Sequence, residues 1–428
     1  MKVAIIGAGF TGLSAALALQ KKGHEVIIFE KEPQPGGLAL GYQEKSWDWS
    51  LEHHYHHWFT NDDDILGLAK EINHPVLTKR INTSVYVDKQ FFQLDSPKAV
   101  LAFKKLPLLD RIRMGVTLGL LRFNPFWQPL EKVKAVDVLP RLMGKKAWDM
   151  LWWPQLVNKM GPYAQEISLV WFWTRITKRT PAVAYPQGGF LQFANHVAEE
   201  INKKEGKIFY NTEILSLTQE RYVTLSYKDV SGKKLKSMFD AVIVTLPSHF
   251  FLKITPQLPE DYVQKLIRLK GISATNLVLR LEKPFFPNKT YWLSICEKNT
   301  PIMAIIEHTN FMDKKHYNNE HIIYIGNYIM TDDKLTWDKK KLLSLYDPLL
   351  SQINPDYKKY LIDSELFKAP FAQPIVPTNY STMIPEMKTP LSHVFLANIE
   401  QVYPWDRGTN YAVKIGKDVA ELVSKSHV

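Results

Sequence analysis

The feature that most constrains this chain stands at its start. Residues 2–6, KVAII, form a short apolar run suited to a strand buried on both faces. GAGFTG follows at 7–12, and then LSAALALQKKG, which has helical propensity and a stop signal at Gly23. HEVIIFE at 24–30 reads as a second strand that ends in an acid. Strand, glycine turn, helix, strand and acid in that order make the phosphate-binding unit of a dinucleotide domain. Gly7 permits the tight turn, Gly9 lets the backbone approach a pyrophosphate, and Gly12 lets helix and strand pack closely. Phe10 and Thr11 open a helix whose free N–H groups and partial positive charge face the phosphates. Glu30 lies 23 residues after Gly7, where its carboxylate can accept hydrogen bonds from ribose hydroxyls, with Lys31 beside it.

The rest of the chain has to accommodate that unit. At 428 residues, a prior of one domain per ~150 residues gives two or three domains. Cys296 is the single cysteine, which excludes an internal disulfide framework and any multi-cysteine zinc or iron–sulfur site. The formal charge of +11 is scattered, with no nucleic-acid motif and no long Lys/Arg block, so no nucleic-acid partner is expected. The apolar run Val3–Ile6 is too short for a signal peptide, and no run reaches the ~18 apolar residues of a membrane span. The expectation is a cytoplasmic protein with peripheral contact to an anionic membrane left open.

KEPQPGGLA follows Glu30, and its Gly36-Gly37 pair resembles the second glycine pair of the FAD family that includes amine oxidases, protoporphyrinogen oxidase and phytoene desaturase. Two adjacent glycines offer unobstructed backbone beside a phosphate or ribityl chain. YPQGGFLQFANHVAEEI at 185–201 is similar to the family's glycine pair before a helix. KIFYNTEILSL at 207–217 resembles the strand against the adenine, with Ile214 at the usual apolar position. DAVIVTLP at 240–247 resembles the strand returning to the dinucleotide sheet, and 393–422 the closing strand and last helix. The resemblance implies noncovalent FAD and a dinucleotide domain in three pieces, 1–75, 185–250 and 390–428. The substrate domain would take 76–184, mostly helical, and 251–389. The expected class is therefore α/β, a discontinuous Rossmann-type FAD-binding domain with a second, mixed α+β domain.

The closing segment departs from the family pattern, because Ala397-Asn398-Ile399-Glu400 stands where a Gly-Asp pair is usual. Asp406 is the first candidate for the acid that meets the cofactor, and Glu400 the second. The resemblance points backbone N–H groups near Asn410 and Tyr411 at the flavin pyrimidine ring. A positive helix end there would stabilise anionic reduced flavin, and Arg407 could add to it.

WDWSLEHHYHHWFTNDDDI at 47–65 holds four histidines in five positions. On an extended strand His54 and His56 share one face and His53 and His57 the other, so metal ligation would need a further bend, and no metal is expected. Asp62–Asp64 look like a helix N-terminal cap. HHYHHWFTND resembles the loop of UDP-galactopyranose mutases that carries a histidine beside the flavin, with His56 in that place. YPWDRGTNYA at 403–412 resembles the mutases' ending, with Asp406 at the matching acid. His56 and His57 are the catalytic candidates on this reading, and a hydrogen-bonded loop with no chemical role is the alternative.

LLDRIRMGVTLGLLRFNPFW at 108–127 sets apolar residues at helical spacing with arginines between them, which suits either a membrane interface or a core helix. Residues 148–179 carry five tryptophans. Arg175 and Arg179, four apart, could share a helix face and bind a carboxylate or diphosphate. His308 is a further substrate-side candidate. The function expected is an FAD-dependent oxidoreductase moving a hydride from a small apolar or planar substrate to flavin N5, with a histidine accepting a proton. The alternatives are a mutase-like, non-redox flavoenzyme acting on a sugar nucleotide and an FAD-binding protein without catalysis. Oligomeric state is not fixed by these residues.

Overall fold

Strand β1 (Lys2–Ile6) is buried from Val3 to Ile6 and divides two apolar layers. Val3 and Ile5 face one layer, and Ala4 and Ile6 the other, the alternation a pleated strand imposes. It lies in a five-stranded parallel sheet with β2 (Glu25–Phe29), β3 (Lys207–Phe209), β4 (Ala241–Val244) and β5 (Val394–Leu396), in the order β3-β2-β1-β4-β5. A computed structural model describes residues 1–298, 300–330 and 338–426 of this chain.

The helices that shape the site are α1 (Phe10–Gln20), α2 (Asp63–Glu71), α3 (Leu108–Phe123), α4 (Trp153–Met160), α5 (Leu169–Thr177) and α6 (Thr409–Lys425). α1 is apolar on all sides, with Leu13, Ala15, Ala16, Leu17 and Leu19 buried, as suits a helix enclosed between sheet and neighbours. α6 packs on it at close range, because a Cβ on Gly416 would stand 2.3 Å from Thr11 O. Ser14 Oγ also donates to Val413 O at 2.9 Å. This contact sets the starts of α1 and α6 side by side, although almost 400 residues separate them in sequence.

A second, seven-stranded sheet runs in the order 361–374, 271–281, 321–329, 304–307, 292–295, 83–87 and 90–93. Leu277, Leu279, Ile323 and Ile325 on one face pack with Leu342, Tyr346 and Leu350 of the helix Lys339–Ile353. Truncating a fully buried residue such as Leu277 to Ala would cost about 2–5 kcal/mol. Strand 83–87 pairs with 292–295, so the two stretches between the pieces of the parallel sheet share this second sheet. On that basis we propose the division 1–75, 185–250 and 390–428 against 76–184 and 251–389.

Candidate active site

Two glycine loops meet in front of α1. Gly7 has φ +106°, and a Cβ there would lie 2.5 Å from Thr245 Oγ1, while one on Gly12 would lie 2.0 Å from Gly7 O. Protein packing alone therefore demands glycine at both positions. Gly9 is different. Its φ of −72° and ψ of 172° suit any residue, and a Cβ would meet nothing closer than Gly37 Cα at 3.6 Å. Neither backbone nor neighbours require glycine at position 9, and the space before the helix is bounded there by the Gly37 loop. Gly36 N–H donates to Ala8 O at 3.0 Å and ties the second loop to the first. A Cβ on Gly37 would come within 2.9 Å of Gly9 Cα.

The groups around that space suit a dinucleotide. α1 starts with no side-chain cap and no acid in its first turn, leaving the N–H groups at Phe10, Thr11 and Gly12 to receive a phosphate. Glu30 closes β2, and its carboxylate accepts the N–H groups of Ala8 at 2.7 Å and Glu32 at 2.9 Å. Burial raises its pKa, and the two backbone bonds oppose that. Lone pairs remain on both oxygens for ribose hydroxyls. Lys31 is exposed at the rim, and Ile214 lies just beyond Thr212, whose N–H donates to Glu30 O.

From Leu38, next to Gly37, a cavity of about 260 Å³ opens toward the second sheet. The first turn of α6 forms one wall with Thr409, Asn410 and Tyr411, and this helix too begins without a side-chain cap or acid. Asn410 has another task. Its Oδ1 accepts the N–H groups of Asp64 and Ile65 at 2.9 and 3.1 Å, capping α2 from a distant part of the chain. The cap expected from Asp62 is corrected accordingly: the Asp62 carboxylate turns back to the Phe59 N–H at 2.8 Å. Asp63 and Asp64 do occupy the first turn of α2.

The histidine loop forms a second wall, and its rings diverge. His53 stacks on Phe367 with ring centroids 4.0 Å apart, outside the cavity lining. His54 Nδ1 receives the Asn276 amide at 2.9 Å. His56 Nδ1 donates to His54 O, which leaves Nε2 unprotonated in the neutral ring. His57 Nδ1 meets Tyr291 OH at 3.1 Å. Burial pushes His56 down to about 4 and His57 down to about 3, so both rings are neutral at pH 7. Among the described residues no three His, Cys, Asp or Glu side chains gather as a metal site. Behind the loop, the buried Glu52 carboxylate accepts Tyr185 OH on both oxygens and the Phe190 N–H. Burial pushes Glu52 up to about 7 despite those bonds.

The third wall is charged. Arg175 Nη1 pairs with Asp406 Oδ2 at 2.9 Å, and its guanidinium lies 5.0 Å from the Trp171 ring centre. Arg407 donates to Gln373 Oε1 at 3.1 Å and to Tyr328 OH. Burial would raise the pKa of Asp406, but Lys159, Arg175 and Arg407 outweigh it and hold the carboxyl below its ordinary range. Arg179 is exposed at the edge of this wall.

The structure thus brings His56, His57, Arg175, Arg179, Asp406, Arg407, Asn410 and Tyr411 to one cavity. It does not bring His308, whose Nε2 lies 2.8 Å from Tyr317 OH in the core, away from the cavity lining. The physical reason is that the chain turns inward after strand 304–307 and buries the ring against Tyr185 and Tyr324. Glu400 is also elsewhere, its carboxylate accepting Ser248 N–H at 2.9 Å and Ser248 Oγ at 2.6 Å. Of the two acids considered for the cofactor, only Asp406 lines the cavity. Sequence reasoning missed Lys159, Asn276, Trp292 and Tyr328, which also line it. The signal for Lys159 was a lysine set between Leu156 and Met160 on the buried face of a helix.

Glycine seam, adjacent helix starts and a part-charged cavity fit a dinucleotide-dependent enzyme, and the family match makes it a flavoprotein oxidoreductase. The chain belongs to the flavin containing amine oxidoreductase family, which it matches over residues 10–423, and its cofactor is FAD. Local relatives include 15-cis-phytoene desaturase of Synechococcus elongatus, 38% identical over 73 residues. That match covers 17% of this chain and 15% of the desaturase. A 4,4'-diapophytoene desaturase of Staphylococcus haemolyticus is 60% identical over 51 residues, 12% of this chain and 10% of the relative. The match thus spans only a small part of either curated relative's length. Three solved structures share the whole fold. An oxidoreductase from Methanosarcina mazei superposes with a TM-score of 0.77 at 17% identity, covering 98% of this chain and 100% of that one. Reduced UDP-galactopyranose mutase gives 0.75 at 15%, covering 99% and 95%. Cyclohexylamine oxidase from Brevibacterium oxydans gives 0.71 at 16%, covering 99% of both chains.

Proposed function

We propose that this protein oxidises a small organic substrate, largely apolar, held in the cavity between the histidine loop and α5. FAD, when bound, supplies the acceptor for a hydride from a substrate C–H bond. The observation that carries the reading is the uncapped start of α1 at the glycine seam, with Glu30 beside it and Leu38, next to Gly37, on the lining of that cavity. The chain's own part is to hold and enclose. The unprotonated Nε2 of His56 is a hydrogen-bond acceptor, and a ring with a pKa of about 4 orients a donor better than it stores a proton. His57 is held at the next position by Tyr291. The start of α6 and the Arg407 side chain present positive charge to the cavity. The test is an absorption spectrum of the protein supplied with FAD, followed anaerobically with dithionite and then with air. Flavin bands near ~450 nm and reversible reduction are expected of this cofactor. A protein that stays colourless with FAD in excess ends the reading.

A second reading, a mutase-like reaction on a sugar nucleotide, draws on the Arg175–Asp406 pair beside the histidine loop. Reduced protein that isomerises UDP-galactopyranose without consuming an oxidant would select it over the first.

We also propose that α3 rests on an anionic membrane surface. Leu109, Leu120 and Phe123 are exposed along it, Phe123 at 84%, an unusual exposure for residues of this type. The exposed Lys104 and Lys146 supply positive charge near its start. The arginines expected to meet headgroups also bind neighbouring carbonyls: Arg111 that of Leu101, Arg113 those of Arg141 and Leu142, and Arg122 those of Ile176 and Arg179. No helix among the described residues is long and apolar enough to cross a membrane.

A further inference from the structure

One buried cation at the cavity is left without a hydrogen-bonding partner, with Asp406 acting on it only through space. Lys159 on α4 is 7% exposed, and its ammonium makes no hydrogen bond or ion pair among the described residues. It faces only the rings of Tyr328 at 4.9 Å and Trp171 at 5.7 Å. The other cations of this wall have hydrogen-bonding partners or water. Arg175 holds Asp406, Arg407 holds Gln373 and Tyr328, and Arg179 is exposed to water. Ring faces compensate a buried ammonium only in part, and its desolvation is costly until an anion arrives. Beside Lys159 lies a recess of about 60 Å³, walled mainly by Leu156, Trp171, Phe172, Ile176 and Met303, with Gln155, Ser294, Arg175 and Arg179 also at its lining.

We propose that Lys159 recognises a single carboxylate carried by an otherwise apolar substrate whose body fills this recess. The proposal rests on the reading of the cavity as the substrate site. One buried amine without a hydrogen-bonding partner suits one carboxylate oxygen pair, and the aromatic and aliphatic side chains beyond it suit a hydrocarbon or aryl body. Burial pushes Lys159 well below the usual lysine range, Arg175, Arg407 and Arg179 push the same way, and Asp406 opposes them. An arriving carboxylate reverses that balance, so the amine takes up a proton as the ion pair forms.

The experiment is calorimetric titration of the FAD-loaded protein at pH 8 with benzoate, its neutral isostere benzamide and inorganic pyrophosphate, in two buffers of different ionisation heat. Benzoate should bind at least tenfold more tightly than benzamide, with net proton uptake. Lys159→Met should lose both the preference and the uptake while keeping its FAD affinity. Lys159→Arg should keep the preference but lose the uptake, because a guanidinium stays protonated. Equal binding of benzoate and benzamide overturns the proposal, as does tighter binding of pyrophosphate than of benzoate. So does a Lys159→Met protein that loses FAD affinity in step with benzoate, since the charge would then serve the cofactor. A wild-type protein that takes up no FAD defeats the underlying reading. Normal FAD uptake without a benzoate preference defeats this inference alone.

Discussion

The seam in front of α1 and the wall around Lys159 lie in one molecule but are built by opposite means. The seam is made of backbone: N–H groups at a helix start, two glycine loops in contact and one carboxylate, with nearly all its parts within residues 7–37. The wall is made of side chains from α4, α5, the second sheet and the closing loop, and its strongest forces are between charges. Backbone recognition is tolerant of every neighbour except added bulk. Charged side-chain recognition depends on each partner being present.

The sharpest way to break that contrast is Gly9→Val. It should abolish FAD binding, at least a hundredfold in Kd, while the folding midpoint of the protein without FAD barely moves. A Gly9→Val protein that fills with FAD normally would show that the seam is not where the cofactor lies. Glu52→Gln tests the support behind the histidine wall. Glu52 has a folded pKa of about 7 against an ordinary 4.5, so its contribution is present at acid pH and lost as pH rises through 7. The loss amounts to roughly 3 kcal/mol by the size of the shift. Denaturant titrations from pH 4.5 to 8 should show a decline in wild type that flattens in Glu52→Gln, and parallel curves would remove Glu52 as the cause.

Asp406→Asn leaves Arg175 and Lys159 with less countercharge. The ion pair is about a quarter exposed, so a cost of ~1–2 kcal/mol is expected rather than the full value of a buried pair. Carboxylate probes should at the same time bind more tightly. An Asp406→Asn protein that loses FAD but not stability would move this acid from the wall to the cofactor. The smallest effect on stability, within ~0.5 kcal/mol, is expected of Leu120→Ser with Phe123→Ser on exposed α3. Flotation with phosphatidylglycerol vesicles should nevertheless fall severalfold, and unchanged flotation would leave that face without a membrane role.

What could be read in the sequence follows the same division. Gly7, Gly9, Gly12, Glu30 and the Gly36-Gly37 pair determine the seam on their own. Turn geometry, helix start and strand end are local properties, fixed by residues a few positions apart. The histidine loop was legible as unusual, and Arg175 and Asp406 as candidates, but not their contact across 231 residues. His308 illustrates the limit, since a histidine after a strand reads the same whether its ring turns to a cavity or, as here, to Tyr317. Asn410 illustrates it again, for its side chain caps α2 through Asp64, 346 residues earlier. By itself the sequence determined a dinucleotide site and the family of folds that carries it. Only the tertiary structure decided which charges meet, which histidines stay neutral and that Lys159 is left without a hydrogen-bonding partner among the described residues. Burial and pairing belong to the packed set of distant segments, and no short stretch of chain contains them.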